Sequence, residues 1–282
     1  MVDLSRFAVP GEAPPFSDQT LVDVRAGRAT VVGDERGVAV VRDGELELVV
    51  GLEERGRGLG TALVTQVLGL GGGAAPVAGS APRLASAPRL AWAHGDHPAA
   101  RALAVRFGWT AVRTLLQLRA PIASTAPDPG LPDGYTLSSF RAGDERDEHD
   151  WLALNAAAFA HHPEQGRMTL DDLRARESDD WFSGDDLLLL RDASGGLAGS
   201  CWLKVEGDVG EFYAVAVRPD LQGRRLGGVL MRAGTARLTG RGLSTAALYV
   251  EGDNEPALAL YRRSGFEQHA IDVQYAAPRS GR

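Results

Sequence analysis

The stretch from Glu211 to Gly228 (EFYAVAVRPDLQGRRLGG) holds the densest chemical pattern in the chain. A carboxylate, Glu211, heads an apolar, β-prone run from Phe212 to Val217, in which Val215 and Val217 are β-branched. Arg218, Pro219 and Asp220 end the run, because proline cannot extend a ladder. Gln222, Gly223, Arg224, Arg225, Leu226, Gly227 and Gly228 then lead into a helix with Val229, Leu230 and Ala233 on one face. A glycine-bearing turn that opens a helix presents free backbone N–H groups and the positive end of the helix dipole, which suits phosphate. The arginines between 218 and 225 form a local cationic patch on a chain of net charge −7. That contrast suits a small polyanion better than a polymer. By residue type alone, Glu211 is a proton acceptor or a solvated strand end. Tyr261, on a later amphipathic helix, is a proton donor or a core ring with its hydroxyl at the rim.

Composition limits what surrounds this stretch. The chain has 282 residues, of which 44% are hydrophobic and 24% charged. That is the balance of a soluble globular protein, long enough for two ordinary domains. The acidic net charge points away from a nucleic-acid partner. Cys201 is the single cysteine, so no internal disulfide forms, and beside Trp202 it reads as a buried, inert thiol. No signal peptide or apolar span of ~20 residues is visible, so a cytoplasmic protein without a membrane partner is expected. A monomer is expected as well. His161 and His162 are adjacent and point apart, with no third ligand in view, so no metal site is expected.

Periodicity places the elements that must hold these groups. Helices are expected from Ser17, with Asp18, Gln19 and Asp23 on the polar side, and over 61–68, 98–106, 148–160, 170–176 and 255–263. Strands are expected over 29–32, 37–41, 45–50, 90–93, 112–118, 135–140, 187–190, 197–205, 246–250 and 269–275. Residues 69–88 are low in complexity and read as a loop. The domains are expected at 1–120 and 135–282, joined by a Pro-rich linker over 121–134.

The chain also repeats itself. RGRGLG, from Arg55 to Gly60, superposes on QGRRLG, from Gln222 to Gly227. Leu48, Val49 and Val50 then fall near Val215, Ala216 and Val217. The span from Asp96 to Gly108 has the spacing of Asp253 to Gly265, each followed by an aromatic residue. The chain reads as a duplicated domain, each copy a mixed sheet with helices on its faces. Counting residues sets Gly44 opposite Glu211, with Glu45 and Glu47 nearby, Ala104 opposite Tyr261, and His97 opposite Asn254. The first half keeps the phosphate turn and lacks the groups that move protons, which implies one catalytic half and one that binds or merely folds.

The turn after the V-x-P strand end, with the later helix D-N-x-x-A-x-x-x-Y-x-x-x-G-F, resembles the GNAT acyl-CoA-dependent N-acetyltransferases. Both halves carry the pattern. The fold implied is α/β, a mixed central sheet flanked by helices, as two tandem GNAT-like domains, the first degenerate. Within that superfamily AAFAHHPEQG, WLKV, EFYAVAVRPDLQGRRLG and LYVEGDNEPALALYRRSGF are similar to the mycothiol synthase family. The resemblance implies acetyl-CoA as co-substrate and a cysteinyl amide of glucosaminyl-inositol (desacetylmycothiol) as acceptor. It implies that Val215, Ala216 and Val217 and the turn from Gln222 to Gly228 hold the pantetheine and pyrophosphate. Asn254, Glu255, Pro256, Ala257, Leu258 and Ala259 would line the CoA thiol end, and Leu48, Val49 and Val50 would match a second acetyl-CoA site. Asp18, Glu164, Lys204, Glu211 and Tyr249 match acceptor-contacting positions. This sequence departs from the pattern at Arg225, where the family has glycine, and at Asp18, where it tends to have glutamate. An arginine at 225 either crowds the pyrophosphate or pairs with it.

For such a reaction an α-amine of pKa near ~8 must lose a proton. Glu211 is the base, directly or through water. Tyr261 is the acid for the thiolate, and a backbone N–H near Val215 is the oxyanion donor. A GNAT enzyme acting on another amine, or a non-catalytic acyl-CoA sensor, fits the same motifs less fully. Retention of both Glu211 and Tyr261 opposes the sensor.

Overall fold

The computed structural model describes residues 2–71, 84, 86–160 and 165–278, with Asp18 and Gln165 described by backbone alone. Most of the expected 69–88 loop, and His161, His162 and Glu164, lie outside the described residues. In chain order the elements begin α1 (Asp18–Arg25), β1 (Thr30–Asp34), β2 (Gly37–Arg42), β3 (Glu45–Val50), α2 (Leu59–Leu70), β4 (Leu90–His94), α3 (Pro98–Phe107) and β5 (Thr110–Pro121). They continue β6 (Thr136–Ser139), α4 (Glu145–Ala158), α5 (Leu170–Glu177), β7 (Leu187–Arg191), β8 (Leu197–Glu206) and β9 (Val209–Val217). The chain ends with α6 (Leu226–Gly240), β10 (Thr245–Glu251), α7 (Glu255–Arg263) and β11 (Glu267–Ala276).

Two compact units result. The first gathers residues from 1–116, 251–253 and 270–282, the second those from 117–250 and 254–269. This differs from a single cut within 121–134. The reason is pairing at the C-terminus: Asp272–Ala276 of β11 run antiparallel to β4 and so join the first unit.

In the first unit β1, β2 and β3 form an antiparallel meander, and β3 continues parallel to β4. One face packs Val32, Ala39, Val41 and Leu46 against Leu63, Val64 and Val67 of α2. The other packs Val38, Val40 and Val49 with Val24 of α1 and Phe16. Ser17 caps α1 by accepting from the Thr20 N–H at 3.2 Å. Asp23, expected on the polar side, is instead 5% exposed, because Arg28 meets its carboxylate at 2.6 Å.

In the second unit β6, β7, β8 and β9 are successively antiparallel, and β9 is parallel to β10. Trp151 and Leu154 of α4 and Leu173 of α5 cover one face, against Leu187, Leu189, Trp202, Ala214 and Ala216. Trp151 meets Trp202 edge-on at 5.1 Å. Helix α4 starts at Glu145, ahead of the expected 148, because the Asp144 side chain accepts from the Asp147 N–H. Helix α6 covers the opposite face so closely that a Cβ on Gly234 would lie 2.4 Å from Phe212 and 2.9 Å from Cys201. Burial pushes the Cys201 thiol above its ordinary range, as an inert core residue requires.

Candidate active site

Strands β9 and β10 are in register only at Val209, Gly210 and Glu211, which face Thr245, Ala246 and Ala247. Beyond that point they part, and Glu211 marks the apex of the opening. The β8–β9 ladder carries a bulge: Trp202 pairs with Ala214 and Leu203 with Phe212, so Tyr213 has no partner of its own. The bulge decides which way Glu211 points. Phe212 packs toward Gly234 of α6, whereas Ala214 packs with Trp202 toward α4. Two even-numbered residues thus lie on opposite faces, which strict alternation forbids. Glu211 and its cross-strand partner Lys204 therefore share the α4 face. Tyr249, two residues past Ala247 on β10, has the same parity. Three of the expected acceptor contacts come to one face.

That face also holds three groups outside the expected set, Trp181, Trp202 and Tyr213. The Lys204 Nζ lies 5.4 Å from the Trp181 ring centre and 3.0 Å from Glu206. Trp181, Trp202 and Tyr213 lie 5.2–5.7 Å apart. Burial raises the Tyr213 hydroxyl above the ordinary tyrosine range. Glu211 and Asp179 push it the same way, while Arg176 and Lys204 oppose them. The Tyr249 hydroxyl accepts from Gln117 Nε2 at 2.7 Å. Of the other expected acceptor contacts, Glu164 lies outside the described residues and Asp18 is the first residue of α1.

At the far end of β9 the turn takes the geometry expected of a phosphate cradle. Gly223 and Arg225 have φ of +77° and +64°, and Arg225 is the N-cap of α6 without a side-chain cap bond. The N–H groups of Gly223, Arg224, Arg225, Leu226 and Gly227 donate to nothing among the described residues. Gln222 Nε2 ties the turn to the Val217 carbonyl at 3.4 Å. The cationic patch is smaller than the sequence implies, since Arg218 is paired with Asp220 and Asp192 at 2.8 and 3.3 Å. Arg224 and Arg225 have no ion-pair partner among the described residues. A non-glycine residue in the left-handed region costs about 1–2 kcal/mol. Glycine returns part of that as unfolded-state entropy. Arg225→Gly is therefore expected to raise stability by roughly 0.5–1 kcal/mol, read as a higher thermal midpoint. An unchanged or lower midpoint would mean that the arginine side chain supports the turn.

Tyr261 lies across the sheet from Glu211. It packs on Phe266 at 6.2 Å, and Phe266 packs on Phe212 at 5.7 Å, on the α6 side. Burial pushes its hydroxyl up to about 12, with the neighbouring Cys201 adding to the effect. It therefore keeps its proton at neutral pH. Asn254 caps α7, its side chain accepting from the Ala257 N–H at 3.2 Å, and Glu255, Pro256, Ala257, Leu258 and Ala259 form the first turns. The counterpart His97 caps α3 in the same manner, through Nδ1 and the Ala99 N–H at 3.1 Å.

The first unit repeats the architecture. Strands β3 and β4 are in register only at Glu45 and Leu46, then part. Leu48, Val49 and Val50 follow this apex, and Arg55 Nε reaches the Val50 carbonyl at 3.2 Å, as Gln222 reaches Val217. Gly58, with φ of +86°, stands where Arg225 does, with open space at its Cβ position. Gly44 is not the counterpart of Glu211. The β2–β3 ladder has no bulge, so removing Tyr213 from the count sets Glu45 opposite Glu211 and Arg42 opposite Lys204. Glu45 is engaged, with Arg42 at 3.5 Å and Gln274 Nε2 at 2.9 Å. Its neighbour Glu47, at Ala214's position, is buried and accepts from the Ser17 N–H at 3.0 Å and the Thr20 hydroxyl at 2.9 Å. His94 sits between Glu47 and Asp272 at 3.6 and 3.3 Å.

Residues 149–266 match the Acetyltransferase (GNAT) family. Over 275 residues the chain is 48% identical to the mycothiol acetyltransferase of Clavibacter michiganensis, covering 93% of this chain and 85% of that one. It is 41% identical to the mycothiol acetyltransferase of Paenarthrobacter aurescens, covering 95% and 89%. A GCN5-related N-acetyltransferase from Sphaerobacter thermophilus shares its fold at a TM-score of 0.67 and 21% identity, over 94% of this chain and 86% of that one. A tandem GNAT protein from the clavulanic acid biosynthesis pathway does so at 0.65 and 18%, over 99% and 93%.

Proposed function

The chain belongs to the mycothiol acetyltransferase family of GNAT enzymes, and from that premise we propose that it acetylates the cysteine amine of desacetylmycothiol in the second unit. The observation that carries this reading is the single face shared by Glu211, Lys204 and Tyr249 at the mouth of the β9–β10 opening. Acetyl-CoA supplies the acyl group. The parted edge of β9 at Val215, Ala216 and Val217 offers backbone pairing to the pantetheine. The N–H groups from Gly223 to Gly227, which donate to nothing among the described residues, fit its pyrophosphate.

Glu211 takes a proton from the acceptor ammonium, freeing the nitrogen pair to form the N–C bond. The Val215 N–H faces the charge that develops on the carbonyl oxygen. As the C–S bond breaks, Tyr261 donates its proton to the leaving thiolate, and the second proton shed by the new amide nitrogen returns through water to the tyrosinate. A hydroxyl near 12 is a weak acid for a thiol of ordinary pKa near ~8.5. Proton transfer therefore accompanies C–S cleavage rather than following release of a free thiolate. Nothing in this scheme calls for a metal or a covalent enzyme intermediate.

The first unit keeps the turn and the parted strands, but Ala104 stands for Tyr261. It is a half that holds acyl-CoA, through Leu48, Val49 and Val50, or merely folds. Incubation with acetyl-CoA and the cysteinyl-glucosaminyl-inositol acceptor, read by mass spectrometry, tests the assignment. An N-acetylated product is expected. Bound acetyl-CoA without product would move the acceptor to another amine or the protein to a sensor.

A further inference from the structure

Compared residue for residue with the first unit, the part of β9 that follows the apex is one residue longer than its counterpart in β3. Between apex and turn, Glu211 to Val217 spans what Glu45 to Val50 spans, and the surplus is Tyr213, the bulged residue. The half with an acid at the Tyr261 position therefore also carries an inserted tyrosine beside its base. The ring lies on the acceptor face, 5.3 Å from Trp181 and 5.2 Å from Trp202. Its hydroxyl stands in the field of four charged groups from separate elements: Glu211 on β9, Lys204 on β8, Arg176 on α5 and Asp179 just after it. Arg176 pairs with Asp179 at 3.4 Å and Lys204 with Glu206 at 3.0 Å.

We propose that Tyr213 is a positioning residue of the acceptor site, which orients a hydroxyl-rich acceptor so that its one amine meets Glu211. This deepens the acetyltransfer assignment above and rests on it. The aromatic wall of Trp181, Trp202 and Tyr213 suits the face of a sugar ring, and the Lys204–Glu206 pair beside it suits ring hydroxyls. The phenol is neutral, so it donates to and accepts from ring hydroxyls without competing for the proton that Glu211 removes. Tyr213 moves no proton in the reaction.

Tyr213→Phe keeps the ring and removes the hydroxyl. In the full chain its KM for cysteinyl-glucosaminyl-inositol is expected to rise roughly tenfold, the loss of about one hydrogen bond to a bound acceptor. The KM for acetyl-CoA should be unchanged, as should the KM for L-cysteine amide, which has the amine and thiol but no sugar. Trp181→Phe should shift the same constant in the same direction. Equal KM values for the glycosyl acceptor in wild type and Tyr213→Phe would overturn the proposal. So would an equal loss with L-cysteine amide, or a loss of acetyl-CoA binding, since either marks a structural role. A wild-type protein that makes no N-acetyl product from the glycosyl acceptor overturns the acetyltransfer assignment itself and the proposal with it.

Discussion

Glu211→Gln is expected to lower kcat by roughly 10²- to 10⁴-fold, the usual worth of a positioned general base. Acetyl-CoA affinity should stay within about twofold, because the substitution is isosteric and leaves the turn and the parted strand edge intact. The pH profile separates this from simple damage. In the wild type the carboxylate removes the proton, so the rate holds across neutral pH. In the variant only acceptor that is already neutral can react. The rate should then climb nearly tenfold per pH unit up to the amine pKa near ~8. A damaged but base-independent site would show low activity with the wild-type pH shape. Full turnover, or a variant whose activity is flat across neutral pH, would remove Glu211 from the role of base.

The first unit should lose stability as the pH rises from about 6.5 to 9. His94 is the cause. Burial by itself would lower its pKa, but the flanking Asp272 and Glu47 carboxylates outweigh burial and raise it to about 9. The folded state thus holds this proton more tightly than the unfolded chain. The stabilisation is complete below the ordinary histidine value of 6.5 and is lost as pH rises through about 9. A displacement of that size corresponds to about 3 kcal/mol. Hydrogen exchange of peptides covering β3 and β4, compared at the two pH values after correction for intrinsic rates, would read it. His94→Gln should be less stable than the wild type at pH 6.5 and should show no such decline. Equal protection of the wild type at both ends of the range, or the same decline in His94→Gln, would sink the assignment. At acid pH the complementary loss belongs to Glu47. His94 and the Ser17 and Thr20 donors overcome its burial and hold its pKa below the usual carboxylate value. Its contribution fades as pH falls through that lowered value.

The repeat works as an internal control because the two ladders differ by a single residue. Read as strings, β3 and β9 align without a gap, and Gly44 falls opposite Glu211. Only the partner strands β2 and β8 reveal that Tyr213 is looped out and that Glu45 holds the equivalent place. The first unit is therefore not short of a carboxylate at its apex. What it lacks are two hydroxyls: Ala104 stands for Tyr261, and Tyr213 has no counterpart in β3.

The sequence alone determined what is local. Helix starts at Ser17 and at 255, the strand ended by Pro219, the glycine turns at 56–60 and 223–228, and the duplication all follow from residue type and spacing within a few positions. Tertiary structure decided what depends on the neighbouring strand. A bulge has no signature in EFYAVAV, because any of those residues could be the unpaired one. Its position sets the face of Glu211, and with it the company of Lys204, Trp181 and Tyr213. The same holds for His94, an unremarkable residue in LAWAH until β3 and β11 bring Glu47 and Asp272 to either side of its ring. Register and burial are non-local quantities, and the chemistry of both units turns on them.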